Sequence, residues 1–366
     1  MKPPVNCAMR RPFLKFLAAS ALGAVLPTAR AAVPTTGVAD PGRFDALTLP
    51  AILSSKASGL AMLALVRAGK RMVAAGERGT VLLSDDDGKT WRQALVPLSV
   101  TLTAMHFIDA RQGWAVGHLG VVLRTVDGGE HWAVQLDGRQ AARIALESAK
   151  RFGDGATLNA AQALVEDGPD KPFLDVYFEN ERTGYVVGAF NLAFRTDDGG
   201  KTWNSLMYRL ENPKGAHLYA IRRVGQNLFI AGEQGLLLRS SDGQRFVAIA
   251  PPSKGTYFGL VAGQGGELLV YGLRGRAFLS TDAGNTWAEV ETGTQASLSA
   301  GLLLEDGRFL LASQSGELLV SREGGKAFRV INSAALPVTA LLQAANGRLA
   351  LATLRGIRNV GLASAS

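Results

Sequence analysis

Ser84-Asp85-Asp86-Asp87-Gly88-Lys89-Thr90-Trp91 decides the reading of this 366-residue chain, because it comes back. It returns as Thr125-Val126-Asp127-Gly128-Gly129-Glu130-His131-Trp132 and as Thr196-Asp197-Asp198-Gly199-Gly200-Lys201-Thr202-Trp203. A fourth clean copy is Ser280-Thr281-Asp282-Ala283-Gly284-Asn285-Thr286-Trp287, and worn copies end at Phe246 and Phe328. Upstream of each octet lies a Gly-x-x-Gly-type turn followed by an apolar run, as in Gly76-Glu77-Arg78-Gly79 and Thr80-Val81-Leu82-Leu83. The second glycine position of that turn (Asn191 in the third copy) falls at 79, 120, 191, 235, 275, 316 and 356. The spacings are 41, 71, 44, 40, 41 and 40 residues. A nearly constant period broken once by about thirty residues is an internal repeat with one insertion.

About forty residues hold four short strands joined by tight turns, the size of one propeller blade. Runs such as Leu236-Leu237-Leu238 suit strands buried between neighbouring sheets, and the repeats lack the long amphipathic stretches of a helical solenoid. The expectation is therefore an all-β, seven-bladed β-propeller of four-stranded antiparallel blades, forming one domain over residues 32–366. The seventh copy has no octet after Gly356. The segment Phe44-Asp45-Ala46-Leu47-Thr48-Leu49-Pro50 is expected to pair as the outer strand of that last blade, closing the ring and removing exposed strand edges. The extra residues between blades two and three, 137–172, place Ala141, Ala142, Ile144, Ala145, Ala149 and Phe152 at near-helical spacing. Gly153-Asp154-Gly155 follows, then Leu158, Ala161, Leu164 and Val165. This predicts a helix–turn–helix excursion from one rim, a place where repeat scaffolds often carry binding features.

The octet is turn chemistry. A Ser or Thr hydroxyl and an Asp carboxylate can bond nearby amides, glycine supplies a positive φ, and tryptophan packs apolar surface beside the turn. Ser84, Asp86, Gly88 and Trp91 are assigned this structural duty, as are Thr125, Asp127, Gly129 and Trp132. So are Thr196, Asp198, Gly200 and Trp203, and Ser280, Asp282, Gly284 and Trp287. Because blades hold the copies apart around a ring, the aspartates read as structure and not as a metal or acid/base cluster. The octet resembles the Asp box, or BNR repeat, of sialidases and other propellers. Phe107-Ile108-Asp109-Ala110-Arg111-Gln112-Gly113-Trp114-Ala115-Val116-Gly117 and Phe178-Glu179-Asn180-Glu181-Arg182-Thr183-Gly184-Tyr185-Val186-Val187-Gly188 share a further pattern. Together with the boxes it is similar to the photosystem II stability and assembly factor family, over roughly 60–358. That resemblance implies a propeller without enzymatic activity that binds membrane-protein partners during assembly.

Residues 1–31 have the parts of an export signal. Met9-Arg10-Arg11-Pro12-Phe13-Leu14-Lys15 resembles a twin-arginine motif, Phe16 to Leu26 is apolar, and Ala29-Arg30-Ala31 offers a cleavage site after Ala31. A periplasmic destination follows, with no membrane insertion once the signal is gone. The signal also holds five of the 39 basic residues and no acid, leaving 34 against 31 acidic, so the basic excess gives no case for nucleic acid. The single cysteine, Cys7, lies in the signal, so the remainder has neither disulfides nor thiol chemistry.

Candidate contact residues are arginines. Arg124, Arg195 and Arg239 recur just before the box in blades two to four, and Arg274, Arg276 and Arg355 are read as lying near the same level of later blades. The resemblance implies an arginine-rich partner surface; pairing with acids of neighbouring blades is the alternative. No catalytic residue, cofactor or metal site is assigned: His106, His118, His131 and His217 lack ligand spacing, and no nucleophile or phosphate-loop motif appears. A sialidase-like glycoside hydrolase, needing an arginine triad, a Tyr–Glu pair and an acid/base Asp, is the rival from the enzyme class, with a glycan-binding propeller as a third reading. Tyr177, Tyr185, Tyr208, Tyr219, Tyr257 and Tyr271 are the tyrosines open to that role.

Overall fold

Each repeat folds as its pattern requires. In the first, Met62–Ala68 and Arg71–Gly76 are joined at Gly69, and Val81–Ser84 is apolar and wholly buried. Two-faced burial of this kind is stable only when both faces of a sheet meet another sheet. The computed structural model describes residues 45–362. The expected signal, 1–31, lies outside the described residues, as does Phe44. Seven antiparallel sheets follow one another along the chain, six of four strands and the last of three. This is a seven-bladed propeller, with the first strand of each sheet innermost around a central channel.

The core is divided like the ring. Seven apolar clusters each join two successive blades, from Val73, Leu83 and Met105 between blades 1 and 2 to Leu310, Leu341 and Leu351 between 6 and 7. Met62, Met72 and Leu82 meet Leu342, Ala350 and Ala352 between blades 7 and 1, so the ring closes. Hydroxyls on the innermost strands bind blade to blade: Thr103 Oγ1 donates to Phe173 O (2.7 Å), Ser299 Oγ to Val338 O (2.6 Å) and Thr339 Oγ1 to Met62 O (2.6 Å).

Closure differs from expectation. The last blade has only Val338–Gln343, Leu349–Thr353 and Gly356–Val360, and the segment expected to supply its outer strand is elsewhere. Residues 45–50 form a turn against the connection between blades 1 and 2, where Ser99 N donates to Ala46 O and Ala51 N to Val96 O (both 3.0 Å). The chain then crosses blade 1 and reaches blade 7 at the short turn Ala57–Gly59. Leu47 and Ala51 have apolar partners in the blade 1–2 cluster, which an outer strand of blade 7 would leave solvated. Gly356 also differs from its counterparts: Thr353 pairs directly with Gly356 across a two-residue turn, whereas Ala75 and Val81 are bridged by five residues.

The boxes join the third and fourth strands. Ser84 Oγ donates to Asp86 Oδ1 and accepts from Gly88 N (both 2.8 Å), and Asp86 also accepts from Thr90 N and Oγ1 (2.9 and 2.6 Å). Thr196–Asp198–Thr202 and Ser280–Asp282–Thr286 repeat these bonds; in blade 2 the ring of His131 stands in for the last threonine. Trp91 and Trp132 donate Nε1 to Gly88 O and Gly129 O. The Thr90 hydroxyl and amide hold the Asp86 carboxyl at about 2, and Thr286 does the same for Asp282; in Asp198 partial burial opposes the Thr202 bonds and is outweighed, again reaching about 2.

Alternating strand direction places the boxes and the first-to-second turns on one face of the ring. The second-to-third turns and the blade-to-blade connections lie on the other. The helices belong to this second face, since they interrupt the connection from blade 2 to blade 3. α1 (Gly138–Phe152) starts on Asp137, whose carboxylate accepts from Gln140 N in a capping box, and α2 (Gly155–Asp167) starts on Asp154. Ala141, Ala142, Ala145, Ala149, Ala161 and Leu164 are buried in the blade 2–3 core. Phe152 and Val165, though in the same spacing, are exposed, and Phe152 stacks on Tyr208 instead (5.4 Å).

Two outcomes test this account. The depressed pKa values of Asp86, Asp198 and Asp282 stabilise the fold above the ordinary carboxylate value of 3.8, and that stability is lost as pH falls towards about 2. Thermal scans across this range will show the decline, and replacing all three by Asn will flatten it. A Cβ on Gly275, at φ +69°, would sit 2.0 Å from Thr294 O. Gly275→Ala is expected to destabilise the chain by about 2 kcal/mol or more in denaturant titration.

Candidate functional site

Two arginine sets emerge where the sequence suggested one. Arg124, Arg195 and Arg239 stand near the box end of the third strand of their blades. Arg274 lies in the turn entering the third strand of blade 5 and Arg276 follows it, and Arg355 lies in the corresponding turn of blade 7. The sets therefore occupy opposite faces. The expected common level fails because glycine-turn and box ends of such short strands look alike in sequence.

On the box face two of these three guanidinium groups reach the next blade. Arg195 Nη1 donates to Gly243 O and Arg239 Nη1 to Ala283 O (both 3.0 Å), each carbonyl lying in the following box turn. Arg71 does the same from blade 1 to Gly128 O (3.1 Å), also pairing with Asp85 and Glu130. Between blades 2 and 3 Gln135 takes this role, donating to Gly199 O (2.9 Å), while Arg124 lies over Trp114 and donates to Gln112. Asn359 of blade 7 donates to Gly88 O (2.7 Å).

On the helix-bearing face, Arg276 pairs with Glu289 and donates to Ser253. Arg274 and Arg355 are exposed and enter no ion pair among the described residues, and Arg78 is their match in blade 1. Arg78 sits inside the first quoted turn. Aligning the residue before each second glycine would have found it. In blade 3 that position is Phe190, 51% exposed. Its amide donates to His217 Nδ1 (3.0 Å), their rings meet at 4.5 Å, and Lys171 at the end of the helical excursion stands 5.0 Å over it. From His217 the aromatics continue to Tyr219 and Phe258, which line the channel.

The channel, of roughly 370 Å³, has one polar wall. Its third ring of residues is small in six blades (Ala64, Ala104, Ala220, Gly259, Ala300, Ala340) and is Asp175 in blade 3. Asp175 pairs with Arg222 and accepts from Ile221 N (2.8 Å) and Val176 N (2.9 Å). Burial, then the Arg222 charge, hold His106 neutral down to about 4. Sequence reading missed Asp175 and Arg222, since inner strands carry no motif; only alignment of all seven exposes the odd residue. Asp175 is the one acid lining the channel among the described residues, and no group of metal-ligating side chains occurs among them.

Residues 156–332 match the family described as photosynthesis system II assembly factor YCF48. Nearly half of the chain is therefore similar in sequence to this photosystem II assembly factor family. The chain is 27% identical over 158 residues to a photosystem II assembly lipoprotein, Ycf48, of Synechococcus (strain CC9902), covering 42% of this chain and 47% of that protein. It is 34% identical over 88 residues to the chloroplastic photosystem II stability/assembly factor HCF136 of Cyanidioschyzon merolae, covering 22% and 20%. The chain thus spans half or less of these relatives. Among solved structures, YCF48 bound to D1 peptide has a TM-score of 0.61 at 15% identity, covering 84% of this chain and 94% of that one. The GH74 xyloglucanase of Xanthomonas campestris also scores 0.61 at 15% identity, covering 84% and 53%. At such identities these two show the fold alone.

The geometry separates arginines that hold the ring from arginines that face water. Arg195→Ala and Arg239→Ala should each lower unfolding free energy by about 1–2 kcal/mol. Arg274→Ala and Arg355→Ala should stay within about 0.5 kcal/mol, as measured by chemical denaturation.

Proposed function

We propose that this chain is a non-enzymatic assembly or accessory factor for a membrane-protein complex, exported by the twin-arginine route and acting in the periplasm. Its helix-bearing face is the partner-binding face. One observation carries this reading: Arg78, Arg274 and Arg355 are exposed there without acid partners among the described residues, on the face that also presents Phe190 and the helical excursion. Exposed arginine beside exposed aromatic surface is the composition of protein contact sites. Among the original candidates, Arg274 and Arg355 are retained as contacts. Arg195 and Arg239 are reassigned to blade–blade cohesion, Arg124 to its contacts with Trp114 and Gln112 inside blade 2, and Arg276 to its pair with Glu289. The relatives' names support an assembly role, and a peptide of the D1 protein is bound by one structural neighbour. The partner here need not belong to a photosystem.

The rival is a glycoside hydrolase, favoured only by fold likeness to GH74 enzymes. Hydrolysis of a glycosidic bond uses two carboxyl groups flanking it, and the channel offers one, already bonded to Arg222 and two amides. Burial raises the pKa of Tyr177, Tyr185, Tyr219, Tyr257 and Tyr271, to about 12 in Tyr185 and Tyr257, the opposite of an activated nucleophile.

Photocrosslinkers at positions 78 and 274 are expected to capture a membrane-protein subunit in cells, and crosslinkers at 195 and 239 to capture none. Capture from the box face alone would reverse the assignment. Turnover of xyloglucan or aryl glycosides that disappears in Asp175→Asn would overturn the non-enzymatic reading.

A further inference from the structure

The outer edge of blade 7 is unlike any other in the ring. In blade 1, Ala94 N donates to Val81 O, and Leu82 and Leu83 lie opposite Gln93 and Arg92 of a fourth strand. The hairpin registers make Ile357, Arg358 and Asn359 the counterparts of Val81, Leu82 and Leu83. Backbone groups alternate in direction along a strand, so Ile357 and Asn359 turn their N–H and C=O outward, as Val81 does. Among the described residues nothing pairs with them. Where the third strand of blade 1 is fully buried, Arg358 and Asn359 are exposed.

The walls beside this edge have their own chemistry. Ile357 packs in the blade 7–1 cluster with Trp91, and Val360 in the blade 6–7 cluster with Ile331. By alternation Arg358 faces blade 6. From there Arg329 faces back, because its neighbour Phe328 lies in the blade 5–6 core, and the buried Arg329 Nε has no acceptor among the described residues. A strand entering here gains main-chain bonds from one edge, apolar contacts on both sides and two guanidinium groups on one side. A second copy fits poorly: antiparallel pairing centred on residue 358 sets Arg358 against Arg358, a like-charge pair. The segment expected to fill the edge is held between blades 1 and 2.

We propose that blade 7 takes an extended acidic segment of a partner protein as its fourth strand, by strand addition. This rests on the partner-binding reading and adds a second, main-chain mode of contact to it. The probe is a blocked seven-residue peptide alternating glutamate with valine or threonine, without a free carboxyl terminus, added to the full chain. Fluorescence anisotropy should show saturable binding, and hydrogen exchange should slow at Ile357 and Asn359. Arg358→Glu should weaken binding about tenfold or more, and Asn359→Pro, which removes an outward N–H, should abolish it. Arg358→Glu keeps the test open if the proline variant fails to fold.

Binding unaffected by Arg358→Glu, or exchange unchanged at the edge, overturns the proposal. Slow exchange already present in the free chain and lost on deleting 32–44 assigns the edge to this chain's own segment, and dimerisation through the edge in sedimentation assigns it to a second copy; both also overturn it. Crosslinking from positions 78 and 274 is read separately, so failure at this edge leaves the other face untouched and the reverse holds.

Discussion

Each blade buries its two faces only against the blades on either side, so no sheet of this ring has a core of its own. The apolar clusters sit between blades, and the polar links follow the same logic. At five junctions a side chain of one blade donates to a carbonyl of the next blade's box turn: Arg71 to Gly128, Gln135 to Gly199, Arg195 to Gly243, Arg239 to Ala283 and Asn359 to Gly88. The box fixes a turn within its blade and, by fixing it, presents an acceptor to the neighbour. That double duty explains why the octet survives where strands drift. Its hydroxyl, carboxylate and glycine fold the turn, while the partner across the junction can be Arg, Gln or Asn.

Residues absorbed by this network are unavailable to a partner, and what the ring leaves over then becomes informative. On the box face Arg71, Arg195 and Arg239 are engaged with the next blade. On the other face Arg78, Arg274 and Arg355 have no acid partner among the described residues, and the tip of blade 3 offers Phe190 under Lys171. The helical excursion enters on this same face because it lengthens a connection between blades, and its alanine stripe is consumed by the blade 2–3 core. What it presents outward is the charged side of α1 with Phe152 at its end.

The period, the octets and the extra thirty residues made the ring, the turns and the helices legible in sequence, since each rests on local chemistry repeated at fixed distance. Closure was not legible. Ala46, Leu47 and Leu49 are apolar enough for a strand, and only the three-dimensional neighbourhood of Val96 and Ser99 decides that they form a turn there. The arginine levels misled for a related reason: on a strand of four residues, only three positions separate the box end from the glycine-turn end, as Arg124 and Arg276 show. Asp175 and Arg222 stayed hidden because the innermost strands carry no signature beyond small and apolar residues.

The junction between blades 7 and 1 is made of the same stuff as the others: a packed apolar cluster, a Thr339 hydroxyl on Met62 O and a side-chain amide on a box carbonyl. Among the described residues no strand is shared across it. The ring therefore closes, among the described residues, without a special seam. Covalent order picks out a first and a last blade, but force or heat applied to the molecule meets between them a joint built from the same parts as its neighbours, not a separate clasp.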